Sequence, residues 1–145
     1  MKTRTRARSI ALQVLYEFDL SGHDPMIVVQ ERIAEEEISE KNLIDFIIRI
    51  VSGVSPNIGK LDGFIAQHAP EWPLDQVASI DRNIIRIALW EFAVEGCTPL
   101  KVAINEAIEL SKIYGSDSTP RFVNGVLGSL ADRQSEILAA IKNLR

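Results

Sequence analysis

Cysteine is nearly absent from this 145-residue chain. Cys97 stands alone, which excludes an internal disulfide framework and leaves too little sulfur for a thiolate metal cluster. Histidine is almost as scarce: His23 and His68 lie far apart in sequence, and neither belongs to a pair of metal ligands at helical spacing. No apolar run approaches the ~20 residues needed to cross a bilayer, and Gln13, Glu17 and Asp19 interrupt the stretch that a secretory signal would need uninterrupted. A cytoplasmic protein with no membrane contact is expected. There is no alternating strand pattern, no internal repeat, no low-complexity segment and no phosphate-cradling glycine loop. Gly125 and Gly128 lie inside a helical pattern, where close packing is their expected role.

The chemical inventory is correspondingly thin. Cys97 sits beside a helix terminus with no base near it in sequence, as expected of a small structural cysteine. Glu106 and Glu109 lie one turn apart and, with Lys112, read as an ordinary solvated helix face. Neither a cofactor nor a metal is expected, and an enzyme is disfavoured.

What the chain does have is an asymmetric charge. Lys2, Arg4, Arg6 and Arg8 fall within the first eight residues with no acid among them, although the whole chain carries a net charge of −4. This segment leads directly into a helix at about residues 9–20. Cations at a helix N-terminus oppose the helix dipole by tenths of a kcal/mol each. A polyanion such as a nucleic-acid backbone gives them a purpose; a solvated, frayed terminus is the plain alternative.

The rest reads at helical period. Ile10, Ala11, Val14, Leu15 and Phe18 form one stripe, closed by Ser21 and Gly22. Asp24 and Pro25 supply a cap and a first-turn proline for a second helix to about Glu37. A third helix is expected from near Ser39, with Gly53, Ser55 and Pro56 breaking it, and a fourth to Pro70. Glu71, Trp72 and Pro73 form a rigid connection and the best boundary between sub-bundles. A largely apolar segment from Leu74 to Glu95 reads as a central helix, with Glu91 as a paired acid near its end. Thr98 and Pro99 open a helix to Tyr114, Thr119 and Pro120 open the next, and a last one spans about 134–144. The sum is an all-α bundle of seven or eight helices in one domain, residues 1–145.

Two aromatic positions suit binding. Tyr16 lies two turns beyond Arg8, so the two are expected to flank a shallow groove. Phe122 follows Arg121 in the first turn of its helix, where an aromatic beside a cation suits stacking on an unpaired base. Peripheral core is the competing role for Phe122.

Six stretches carry a family resemblance. Lys101 to Lys112, then Tyr114 and Gly115, and Arg121 to Leu127 resemble the NusB family of bacterial transcription antitermination factors. Arg6 to Arg8 leading to Ala11–Tyr16, Leu61 and Asp62, and Asp81, Arg82 and Ile85–Leu89 with Glu91 agree with it. The resemblance covers about residues 3–131; residues 132–145 are a helical tail. It implies two packed three-helix subdomains plus a short extra helix, and an adaptor without a chemical step. Its implied partners are boxA-type single-stranded RNA of ribosomal RNA leaders, NusE (a protein of the small ribosomal subunit), other Nus factors and RNA polymerase. The implied outcome is resistance to Rho-dependent termination. Homodimers also occur in the family, and the sequence does not choose an oligomeric state. The implied RNA contacts are Lys2, Arg4, Arg6, Arg8, Tyr16, His68, Arg121 and Phe122, and the implied NusE face lies around Asp81, Arg82 and Ile85. The alternative function is an RNA-binding accessory in ribosomal RNA maturation or modification, without catalysis.

Overall fold

The computed structural model describes residues 2–70, 72–73 and 76–142. Among these, all regular structure is helical: α1 (Thr3–Ser21), α2 (Pro25–Glu35), α3 (Lys41–Val54), a 3₁₀ turn (Ser55–Asn57), α4 (Ile58–His68), α5 (Ser79–Leu89), a π-helical segment (Trp90–Glu95), α6 (Leu100–Tyr114), α7 (Thr119–Asp132) and α8 (Gln134–Ile141). The expected residues Met1, Glu71, Leu74, Asp75 and 143–145 lie outside the described set.

Local chemistry explains most boundaries. Gly22 takes the left-handed conformation (φ 73°) and returns its N–H to the Phe18 carbonyl, closing α1. The Asp24 carboxylate accepts from the Met26 N–H ahead of Pro25. Thr98 does not cap α6; its hydroxyl donates to the buried Glu91 carboxylate instead. Within the expected central helix, the N–H of Gly96 reaches the Glu91 carbonyl five residues back, so the last turn is wider than an α-turn.

Helices α1, α2 and α3 pack on one another, as do α5, α6 and α7, and α1 lies against α5 to join the two groups. This is the pair of three-helix subdomains implied by the resemblance. One core runs through both, from Leu12, Leu15, Ile47 and Ile50 to Ile84, Leu89, Leu110 and Leu127, each fully buried. Burying each such side chain stabilises by roughly 1.5–3 kcal/mol. Trp72 is buried in that core, so the connection is packed down between α4 and α5.

Two glycine readings change. A Cβ at Gly125 or Gly128 would meet no neighbouring atom, so neither serves close packing. At Gly53 it would overlap the Trp90 indole, which is where α3 approaches the π segment closely.

The groups are also tied by buried charge. Arg86 on α5 grips Asp62 of α4 through Nε and Nη2, both at 2.7 Å, and its Nη1 donates to Asp19 of α1 at 3.1 Å. Burial alone would pull the Arg86 guanidinium down; Asp62 and then Asp19 outweigh it and hold it above its ordinary value. Asp19 also accepts from Ser79 and Asn83.

Candidate nucleic-acid interface

The four N-terminal cations have four different fates. Arg8 is 3% exposed: its Nε and Nη2 donate to the two Glu91 carboxylate oxygens, both at 2.8 Å, and Nη1 lies 3.4 Å from Glu106. This corrects its reading as a phosphate contact flanking a groove with Tyr16, because the guanidinium is committed to two acids inside the protein. Glu106 likewise leaves its expected solvated face, accepting from the Thr5 hydroxyl at 2.8 Å. These bonds pin the first turns of α1 against α6 and the π segment.

Arg4, Arg6 and Lys2 stay exposed. The Arg4 guanidinium stacks 4.1 Å from the centre of the Phe46 ring on α3. Arg6 stands at the acidic end of α2, with Nη2 3.4 Å from the Glu36 carbonyl and 3.7 Å from its carboxylate. Lys2 lines a groove of about 520 Å³ with Thr5, Val102, Asn105, Glu106, Glu109 and Ile113.

Tyr16 is 38% exposed and shares a groove of about 410 Å³ with Leu20, Ile80, Tyr114 and Arg32. Leu20, at 64% exposed, was not singled out from sequence because it falls in the last turn of a helix already supplied with a core stripe. A second cavity of about 550 Å³ holds Arg121 and Phe122 together with Asp81, Val77 and Ser118. Phe122 packs half-buried against the core, the competing role expected for it, and also lines this cavity. Ile80 lines one cavity and Asp81 the other, which places them on either side of the start of α5.

Asp81 accepts from the Thr119 hydroxyl at 3.1 Å. Burial pushes its carboxyl above the ordinary carboxylate range, against the lowering effect of that bond and of a backbone bond. Arg82 is half-buried, 3.8 Å from Asp19, with Nε enclosed and unpartnered. Ile85 is fully buried and cannot meet a partner, since its side chain belongs to the α5 core stripe. His68 is corrected too: the ring is 6% exposed, Nδ1 bonds the Phe64 carbonyl at 2.9 Å and Nε2 faces Glu136 at 3.8 Å, so no ring face is open for stacking.

An exposed basic helix start, a cavity holding Arg121 and Phe122 and an apolar groove beside Tyr16 are the candidate elements of an interface. The family model for NusB matches residues 5–132. The chain belongs to the NusB family. It is 43% identical over 143 residues to the transcription antitermination protein NusB of Dehalococcoides mccartyi (strain CBDB1), covering 99% of this chain and 96% of that one. To the NusB of Roseiflexus sp. (strain RS-1) it is 46% identical over 135 residues, covering 92% and 94%. Its fold is similar to that in a solved complex of antitermination factors NusB and NusE with double-stranded RNA, at TM-score 0.82 and 26% identity, over 92% of this chain and 98% of that one. The T. maritima NusB structure aligns at TM-score 0.80 and 30% identity, over 91% and 93%. No helix among the described residues of this NusB-family chain is long and apolar enough to cross a membrane.

Proposed function

We propose that this chain is a transcription antitermination factor that binds RNA jointly with a NusE-type ribosomal protein and acts in the cytoplasm as an adaptor without catalysis. The observation that carries the reading is the α1 terminus: Arg4 and Arg6 are exposed on a helical turn made rigid by Thr5 and Arg8. Such a terminus presents cations in fixed positions to an RNA backbone. Arg121 and Phe122 offer a second contact, one cation for phosphate and one ring for a base. The groove of Tyr16, Leu20 and Ile80, bordered by Arg32, is the apolar surface for the protein partner. The resemblance favours a single-stranded boxA-type RNA and a role against Rho-dependent termination.

Titration of labelled boxA-type RNA, with and without NusE, tests this. NusE tightens binding, and Arg4→Ala/Arg6→Ala weakens it with a shallower salt dependence. Affinity unchanged by both NusE and the double substitution overturns the reading. Deleting the first eight residues is unsuitable, because it also removes the buried Arg8.

A further inference from the structure

The Phe46 ring collects three guanidiniums. Arg4 and Arg8 come from one face of α1 at i, i+4 spacing; Arg49 comes from α3, at i, i+3 from Phe46 itself. Their central carbons lie 4.1, 5.2 and 5.4 Å from the ring centre. Arg8 is buried and spent on Glu91 and Glu106. Arg4 and Arg49 are both exposed, with the Arg49 side chain at 49%.

We propose that Arg49 is a phosphate-contacting residue of the RNA surface, extending the basic terminus of α1 onto α3. The inference rests on the RNA-binding reading above. Three features of Arg49 support it. Its Nε donates to Glu95 at 3.1 Å, and among the described residues its two terminal nitrogens take part in no other hydrogen bond. The Phe46 ring and the Glu95 bond restrain the guanidinium before any ligand arrives. Finally, Arg4 and Arg49 are both exposed and both lie against the Phe46 ring, so two planar donors suited to phosphate are held on one part of the surface. A solvated surface arginine has none of these restraints.

The competing role is structural. One Glu95 oxygen is enclosed without a partner and the other depends on Arg49, so Arg49→Gln alone strands a largely buried charge. The double variant Arg49→Gln/Glu95→Gln removes both charges, keeps the net charge of the chain and leaves no lone carboxylate. Binding of labelled single-stranded RNA, measured over a salt series for the wild type, this double variant and Arg49→Lys, separates the two roles. The expected result is a several-fold loss of affinity in the double variant, with the log–log salt slope reduced by about 0.7, and a slope near wild type for Arg49→Lys. A double variant with wild-type slope and affinity overturns the proposal. Elution from immobilised heparin provides a readout independent of RNA. If the wild type is retained on heparin but binds no RNA, the functional reading fails while the double variant's elution salt still decides the role of Arg49: earlier elution supports it, and unchanged elution overturns it. A wild type that binds neither probe overturns both.

Discussion

Arg8 and Glu91 meet fork to fork, with Nε on one carboxylate oxygen and Nη2 on the other, both at 2.8 Å, across 83 residues of sequence. Neither side chain is more than 4% exposed. Removing one partner leaves the other charged and buried, which costs about 3–5 kcal/mol. Arg8→Ala and Glu91→Gln are therefore expected to lower the urea midpoint severely, whereas Arg6→Ala, at an exposed pair, changes the unfolding free energy by less than about 1 kcal/mol and moves the midpoint little. Equal midpoints for Arg8→Ala and Arg6→Ala would remove the distinction between the structural and the exposed arginine.

Charges that oppose their own helices meet at Arg6. The α1 terminus carries cations, and α2 ends in Glu35, Glu36 and Glu37, each disfavoured by its own helix dipole. Glu36 therefore competes with phosphate for Arg6. Glu36→Gln is expected to tighten RNA binding at low salt by about two- to five-fold, the range for one exposed ion pair. Glu136→Gln makes the same change of net charge on α8, and an equal gain there would sink the idea of local competition.

Glu37 holds a left-handed backbone (φ 54°) where helices ordinarily place glycine. Ile38 N–H reaches the Ile33 carbonyl and Glu37 N–H reaches that of Ala34, both at 3.1 Å, completing the terminus at the cost of a strained residue. Glu37→Gly is expected to raise stability by about 1 kcal/mol. Thermal unfolding checks it, and a lower Tm contradicts it.

The contact of Gly53 with Trp90 leaves no room for a methyl group. Gly53→Ala is expected to destabilise by about 1–3 kcal/mol through overpacking. Adding Trp90→Leu should return part of that loss, and a strictly additive pair would show that the indole is not the obstacle.

Asp81 gives a pH signature. Its folded pKa lies above the ordinary 3.8 because burial disfavours the carboxylate, so the folded state holds the proton longer than the unfolded chain. Its contribution to stability is full below 3.8 and is lost as pH rises through the folded value. Asp81→Asn keeps an acceptor for Thr119 and abolishes this loss. Urea midpoints compared across the acid range should converge at low pH and separate above it, and parallel profiles would exclude the assignment.

Features governed by neighbours in sequence were legible without coordinates. Asp24 caps α2, Gly22 closes α1, and the Ile10–Val14 stripe faces the core, because each depends on backbone chemistry within a few residues. The four N-terminal cations, by contrast, look alike in sequence, and only a partner 83 residues away marks Arg8 as internal. Arg49 was invisible for the same reason: its significance comes from Phe46 and from Arg4 on another helix. The wide turn at Trp90–Glu95 left no trace because Leu89, Trp90, Phe92, Ala93 and Val94 form a nearly continuous apolar run, which hides a change of period. Ile85 and His68 failed as exposed contacts because position along a helix does not reveal which neighbours cover it.

The bond from Thr5 to Glu106 has a consequence for the entropy of recognition. Fixing a backbone residue that is free in solution costs about 1–2 kcal/mol, and a loose basic tail meets that cost each time it closes on RNA. Here α1 begins at Thr3, and residues 3–8 are already ordered by α6 and the π segment when the ligand arrives. A substitution at Glu106, which touches no ligand in this reading, therefore acts on affinity through the disorder it restores to Arg4 and Arg6.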